Sequence, residues 1–349
     1  DKKVDGQTDG KPDEDVDKTP FIFSLGCARG VCRNTCDGHR RKNERAVERD
    51  RPEINRYSIR GLIYTALKSQ TGFYDAHCHL DILLDKEAFK GTFDEYQKCR
   101  SFLFPRNYKG CIASFCKPST FTDATVWTKY LSQKNVWATF GCHPCNANEF
   151  DSVAERNLQS VLCHPKVKGL GEIGLDYSTR NKCPREIQME VFRRQLIIGY
   201  SRQLPLVIHC RDANEDCILI LLETIPYDYT FHLHCFAENW YWADRWLNTF
   251  PNVYIGITNL VTFASRQQLR EVAEKIPLDR LLLETDAPYC RPKSIIYHDI
   301  DFSNPGMAMY AGVQIAAERD ISADEVFCWT ARNTEFVYKL KKKAKKTRA

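Results

Sequence analysis

The chain has 349 residues, 43% hydrophobic and 27% charged, with a formal net charge of +5. That length and apolar content can bury one large core, while no uninterrupted apolar run is long enough for a membrane-spanning helix. The first twenty residues lack a secretory pattern, and the 16 cysteines are scattered, many inside apolar runs. Both features read as an intracellular protein with reduced thiols rather than a disulfide scaffold.

In chain order, residues 1–20 carry a net charge of −3 and almost no apolar side chains, the pattern of a disordered acidic leader. Residues 21–71 form an N-terminal extension, expected to be partly helical and to pack outside the main domain. Within it Cys27, Cys32, Cys36 and His39 fall in thirteen residues, which reads either as a structural zinc cluster or as a loop with free thiols. From residue 72 one theme repeats, an extended apolar run followed by a polar stretch of helical period. The spacing predicts strands over 73–77, 111–115, 136–140, 167–172, 206–209, 230–234, 253–257 and 281–284. Helices are expected between them, as over 151–162, 185–202, 239–248 and 266–276, and closing helices over 306–319 and 323–340. Eight strands alternating with helices imply a parallel α/β fold closed into a (β/α)8 TIM barrel spanning 72–340. An open doubly wound sheet is the alternative, weakened by the lack of a Gly-rich dinucleotide loop after an early strand. Residues 341–349 are a basic tail, and 339–349 together carry +7, whereas 61–338 sum to −4. Basic ends on an acidic body are either solvated tails or phosphate contacts.

Six side chains at five strand ends describe a two-metal centre: His77, His79, Glu172, His209, His234 and Asp286. Any one alone reads as a structural residue, but a barrel brings all strand ends to one rim. Four imidazoles and two carboxylates are enough donors for two divalent ions. Period-two alternation sends His77 and His79 to the same side and Cys78 away. A carboxylate can bridge two ions, which a neutral imidazole cannot, so Glu172 is the candidate bridge. His232, two residues before His234, should also face inward but one layer deeper, as a core or supporting histidine.

These residues sit in Asp75-Ala76-His77-Cys78-His79-Leu80-Asp81, Gly141-Cys142-His143-Pro144, Gly171-Glu172-Ile173-Gly174-Leu175-Asp176-Tyr177, Ile208-His209-Cys210-Arg211, His234-Cys235-Phe236 and Leu283-Glu284-Thr285-Asp286-Ala287-Pro288-Tyr289. In order and spacing, residues 72–340 resemble the TatD-type metal-dependent deoxyribonucleases of the metal-dependent hydrolase type. The extension and tail are similar to those of longer animal members whose TatD domain is C-terminal. The resemblance implies that His77, His79 and Asp286 hold one ion, that His209 and His234 hold the second, and that Glu172 bridges them. It also implies that His143 contacts substrate phosphate or the attacking water.

The implied activity is hydrolysis of phosphodiester bonds in DNA, and in RNA or RNA–DNA hybrids, from 3′ ends or at damaged sites as in DNA repair. Asp286 and Glu172 are the catalytic carboxylates, with Asp286 the expected general base. Arg211 and His143 are expected to steady the phosphate, joined by Lys341, Lys342 and Lys343 of the tail. The two divalent ions are expected to be Mg2+ or Mn2+, with Zn2+ open to so imidazole-rich a set. Alternative readings are a small-molecule amidohydrolase, many of which bridge their metals with a carboxylated lysine where Glu172 stands here, and a noncatalytic binding protein. The expected setting is a monomer acting on nucleic acid in the nucleus or cytoplasm, without membrane attachment.

Overall fold

Eight parallel strands follow one another around one sheet in the computed structural model, which describes residues 58–295 and 300–340. They are β1 (Phe73–Cys78), β2 (Tyr108–Phe115), β3 (Val136–Phe140), β4 (Val167–Asp176), β5 (Leu206–Arg211), β6 (Phe231–Leu233), β7 (Val253–Ile257) and β8 (Leu281–Leu283). Each pairs with the next in sequence, with helices in the connections, so the fold is the expected (β/α)8 barrel. The seam between first and last strands closes just beyond β8, where Asp286 N donates to His77 O at 3.0 Å and His79 N to Ala287 O at 2.7 Å. Closure therefore runs through two segments that carry candidate ligands.

Helices begin where the sequence supplies a side-chain acceptor for their free N–H groups. Asp151 caps Ser152–Val161, Asn239 caps Trp240–Thr249 and Ser322 caps Ala323–Val337. The helix Ile59–Lys68, capped by Ser58, packs against the helices Ala308–Arg319 and Ala323–Val337. No helix among the described residues is long and apolar enough to cross a membrane. The acidic leader, the Cys27, Cys32, Cys36 and His39 cluster, and the basic tail with Lys341, Lys342 and Lys343 lie outside the described residues.

Most apolar side chains pack between strands and helices. A smaller cluster of Ala76, Ile112, Val207, Tyr254 and Leu282, closed by Val337 and Tyr338, fills the barrel interior. Because side chains alternate along a strand, the interior face carries Val207 then His209, and Leu282 then Glu284. An apolar layer thus underlies a polar one.

One strand departs from the expected pattern. The apolar run over 167–172 predicts a strand ending at Glu172, but β4 continues to Asp176, and its register with β5 shifts between Gly171 and Ile173. Gly171 has φ +156° and Gly174 φ +144°, conformations that L side chains rarely adopt. A Cβ on Gly174 would collide with the His209 carbonyl oxygen. These glycines let the irregular strand stay against β5.

Candidate metal centre at the carboxyl rim

The barrel brings the six candidate ligands together although up to 209 positions separate them in the chain. His77 lies in β1, Glu172 in β4 and His209 in β5, while His79, His234 and Asp286 follow the ends of β1, β6 and β8. Asp286 has φ 55°, a left-handed conformation shared by two other residues just past strand ends, Asp212 and Cys235. Non-glycine residues held this way mark local strain at the rim.

Two donor groups meet at Glu172. In the first, His77 and His79 place their Nε2 atoms 3.3 Å apart. Each lies 3.6 Å from Glu172 Oε2, and they lie 3.9 and 3.3 Å from Asp286 Oδ1. Ligands bound at ~2.0–2.2 Å to one ion stand ~3.0–3.5 Å apart, so His77, His79 and Glu172 come close to the spacing a divalent ion needs, with Asp286 beside His79 on the same side. In the second, Glu172 Oε1 lies 2.7 Å from His209 Nδ1, 2.9 Å from His234 Nε2 and 3.4 Å from His143 Nε2. One carboxylate thus turns one oxygen to each group. The His77 and His234 rings stack at 3.9 Å between centroids, which places His234 at the boundary between the groups.

The electrostatics suit cation binding. Burial alone would raise Glu172, but the imidazoles of His234, His143 and His209 hold it well below the usual carboxylate range. Burial likewise opposes ionisation of Asp286, and its hydrogen bond to His79 with the nearby His234 outweighs that. Burial and then His234 lower His77, favouring the neutral ring that can ligate. His79 and His209 behave differently: burial would lower both, but Cys116 and Asp286 raise His79 well above the usual imidazole range, and Asp176 and Glu172 raise His209 to about 9. An ion binding at either must displace that proton.

Ring orientation is set from behind. His79 Nδ1 stands 3.0 Å from Ser114 O, which takes the Nδ1–H and leaves the Nε2 lone pair free for a metal. His143 is arranged the other way. Its Nδ1 accepts from Cys145 N at 3.0 Å, so the neutral ring carries its proton on Nε2, facing Glu172. That makes His143 a donor toward oxygen, as a phosphate contact requires, although it stands among the second group of donors. Arg211 is half-buried at the end of β5. Burial disfavours its charge, whereas the Cys235 sulfur and the Asp176 and Asp286 carboxylates favour it. Among the described residues its guanidinium makes no hydrogen bond or ion pair.

Three acidic residues of the centre were not singled out from the sequence. Asp75 accepts from His77 N at 3.2 Å and from Thr285 N and Oγ1 at 2.9 and 2.5 Å, stapling β1 to the segment that carries Asp286. Asp176 faces His209 Nε2 at 3.3 Å. Glu284 is fully buried 2.9 Å from His232 Nε2 and accepts from Cys235 N. Burial pushes it up to about 7, against the pull of His234 and His77. Gly256 leaves the space for this pair, since a Cβ there would meet both His232 and Glu284. His232 is the deeper supporting histidine, with Nδ1 2.7 Å from Tyr338 Oη. Period two could have found Asp75 and Glu284, each two residues before a candidate ligand.

Fold and site together define an α/β barrel with a buried histidine–carboxylate cluster whose side chains could hold a metal ion. The family described as TatD related DNase matches residues 74–339, and the chain belongs to that family. It is similar to the 3′-5′ RNA nuclease TATDN2 of Homo sapiens, 40% identical over 271 residues, which cover 78% of this chain and 36% of that protein. The chain therefore spans about a third of that relative's length. YcfH of Escherichia coli K12, described as an uncharacterized metal-dependent hydrolase, is 32% identical over 266 residues, 74% of this chain and 92% of YcfH. In fold it resembles the TatD homologue YJJV of Escherichia coli K12, with a TM-score of 0.66 at 24% identity over 78% of this chain and 99% of that one.

Proposed function

We propose that this chain is a metal-dependent nuclease that hydrolyses phosphodiester bonds of DNA or RNA from the 3′ end, through two divalent ions at the rim. The observation that carries the reading is Glu172, one oxygen toward His77 and His79 and the other toward His209 and His234. His77, His79 and Asp286 would hold one ion with Glu172, and His209 and His234 the other. Bound there, divalent ions supply Lewis acidity toward a phosphate and make a nearby water more acidic. The protein's own groups do the rest. Asp286, ionised and facing His79, is placed to take the water's proton. Arg211, unpaired among the described residues and charged, clamps the phosphate, and the Nε2–H of His143 donates to a phosphate oxygen. The buried carboxylates Asp75, Asp176 and Glu284 hold the ligand-bearing segments in register. Family membership and the activity for which TATDN2 is named support a nucleic-acid substrate, and the set of nitrogen and oxygen donors is compatible with Mg2+, Mn2+ or Zn2+.

The test is release of labelled nucleotides from matched DNA, RNA and hybrid strands by the dialysed full chain with each ion in turn. Metal-dependent cleavage that disappears in Asp286→Asn supports the reading. Metal-independent release, or none with any ion or strand, would overturn it.

A further inference from the structure

A cavity of about 380 Å3 opens beside the metal centre, at the carboxyl ends of β4, β5 and β6. Its size lies within the ~300–1,000 Å3 of small-ligand pockets. Tyr177 and Trp242 give it two half-buried aromatic faces, and the Arg185 guanidinium lies 4.1 Å from the Tyr177 ring centroid. The chain links cavity and centre directly. Tyr177 N donates to Arg211 O at 2.9 Å, and the preceding Asp176 faces His209.

The polar lining is only partly used by the protein. Asp216 accepts from Tyr177 Oη at 2.7 Å, and Glu215 pairs with Arg245. Asp212 and Glu238, by contrast, make no side-chain hydrogen bond or ion pair among the described residues. They lie close together beside Arg211: burial and then the Asp212 charge push the Glu238 carboxyl up, and Arg211 pulls it down. Asn214, only 7% exposed, provides an independent sign of a ligand. Its Oδ1 accepts from Trp246 Nε1 at 2.9 Å, which fixes the amide, and its Nδ2 has no partner among the described residues. A donor on this largely buried residue, the half-buried Glu238 and the exposed Asp212 thus stand unused in a cavity that also has two aromatic faces.

We propose that this cavity takes a guanine base of the substrate strand and gives the nuclease its base preference, an inference that rests on the function proposed above. A strand held by a phosphate at Arg211 presents its adjoining base to the cavity, where the ring stacks on Trp242 or Tyr177. Guanine O6 accepts from Asn214 Nδ2, while its N1–H and N2 amine donate to Glu238 and Asp212. Uracil and thymine place an oxygen where the N2 amine would be, facing a carboxylate. Adenine and cytosine place an amine against the Asn214 donor. Only guanine satisfies all three groups.

The experiment compares single-stranded oligonucleotides that differ only in the 3′-terminal base: guanine, uracil, or hypoxanthine, which is guanine without the N2 amine. For the full chain, kcat/KM is measured with metal, and equilibrium binding by fluorescence anisotropy under a chelator, where no cleavage occurs. Guanine strands should exceed uracil strands by ~10-fold in both, with hypoxanthine losing most of that advantage. Glu238→Gln should reduce the guanine advantage to ~2-fold mainly through KM, and Trp242→Ala should weaken all strands. Equal values for the three strands, or a guanine advantage that survives in both Glu238→Gln and Asp212→Asn, would overturn the inference. A chain that cleaves nothing yet binds guanine strands preferentially, in a Glu238-dependent way, supports the pocket and sinks the nuclease reading alone.

Discussion

Replacing Glu172 by Gln removes the negative charge that faces both halves of the centre. Oε1 stands 2.7 Å from His209 Nδ1 and 2.9 Å from His234 Nε2, and Oε2 stands 3.6 Å from Nε2 of both His77 and His79. At ~3.5 Å and an effective dielectric of ~20, the carboxylate attracts each unit of positive charge by ~5 kcal/mol before desolvation is subtracted. The amide keeps one acceptor oxygen and turns the other into an NH2 group that cannot ligate. One ion therefore loses a ligand outright, and the other keeps only a weaker carbonyl. For a divalent ion that is ~10 kcal/mol, and if about a quarter of it survives desolvation, ~2–3 kcal/mol per ion is lost, or ~10²-fold in affinity. Metal content per chain after dialysis should fall from two ions to one or fewer, and turnover should fall by at least ~10³-fold. Melting adds a check that activity cannot give. Without metal the variant should unfold earlier than wild type, because the imidazoles that hold Glu172 ionised, His209 above all, lose their counter-charge. Added Mn2+ should stabilise wild type by more than it stabilises the variant. A variant that keeps two ions and turns over within about tenfold of wild type would refute the bridging role.

Asp286→Asn should lower kcat by ~10²–10⁴-fold with little change in KM, and a loss under about tenfold would reassign the base. His143→Ala should raise KM while the chain keeps two ions, because Nδ1 is occupied by Cys145 N and Nε2 acts as a donor; metal analysis showing a lost ion would instead make His143 a ligand. Gly174→Ala should destabilise by at least ~2 kcal/mol in urea unfolding, since its positive φ and the His209 carbonyl leave no room for a methyl group; a cost under about 0.5 kcal/mol would show that β4 can relax. Deleting residues 341–349 should raise KM and leave kcat unchanged, and it should flatten the log–log salt dependence of binding by ~0.7–0.9 for each phosphate that the tail neutralises in the full chain. Identical salt slopes would exclude the tail as a substrate-binding element.

The sequence by itself determined the elements. Apolar runs bounded by polar segments placed all eight strands, and apolar residues at helical spacing placed helices over 151–162 and 239–248, because these signals act over a few residues. It also placed His77, His79, Glu172, His209, His234 and Asp286 at strand ends, and a barrel leaves strand ends only one rim to share. Local pattern could not reveal that β4 runs past Glu172 to Asp176, since the shift against β5 depends on contacts with Val207 and His209 across the sheet. Period two marks Asp75 and Glu284 as inward-facing but does not say what they hold. Asp75 acts through Thr285, 210 residues away, and Glu284 through His232 and the backbone of Cys235. The direction of the His143 proton depends on one backbone N–H two residues on, which spacing alone does not report. Ligand identity follows from residue type and period, but the oxygen each ligand faces and the nitrogen that carries a proton are set by hydrogen bonds that exist only once β1 meets the segment after β8.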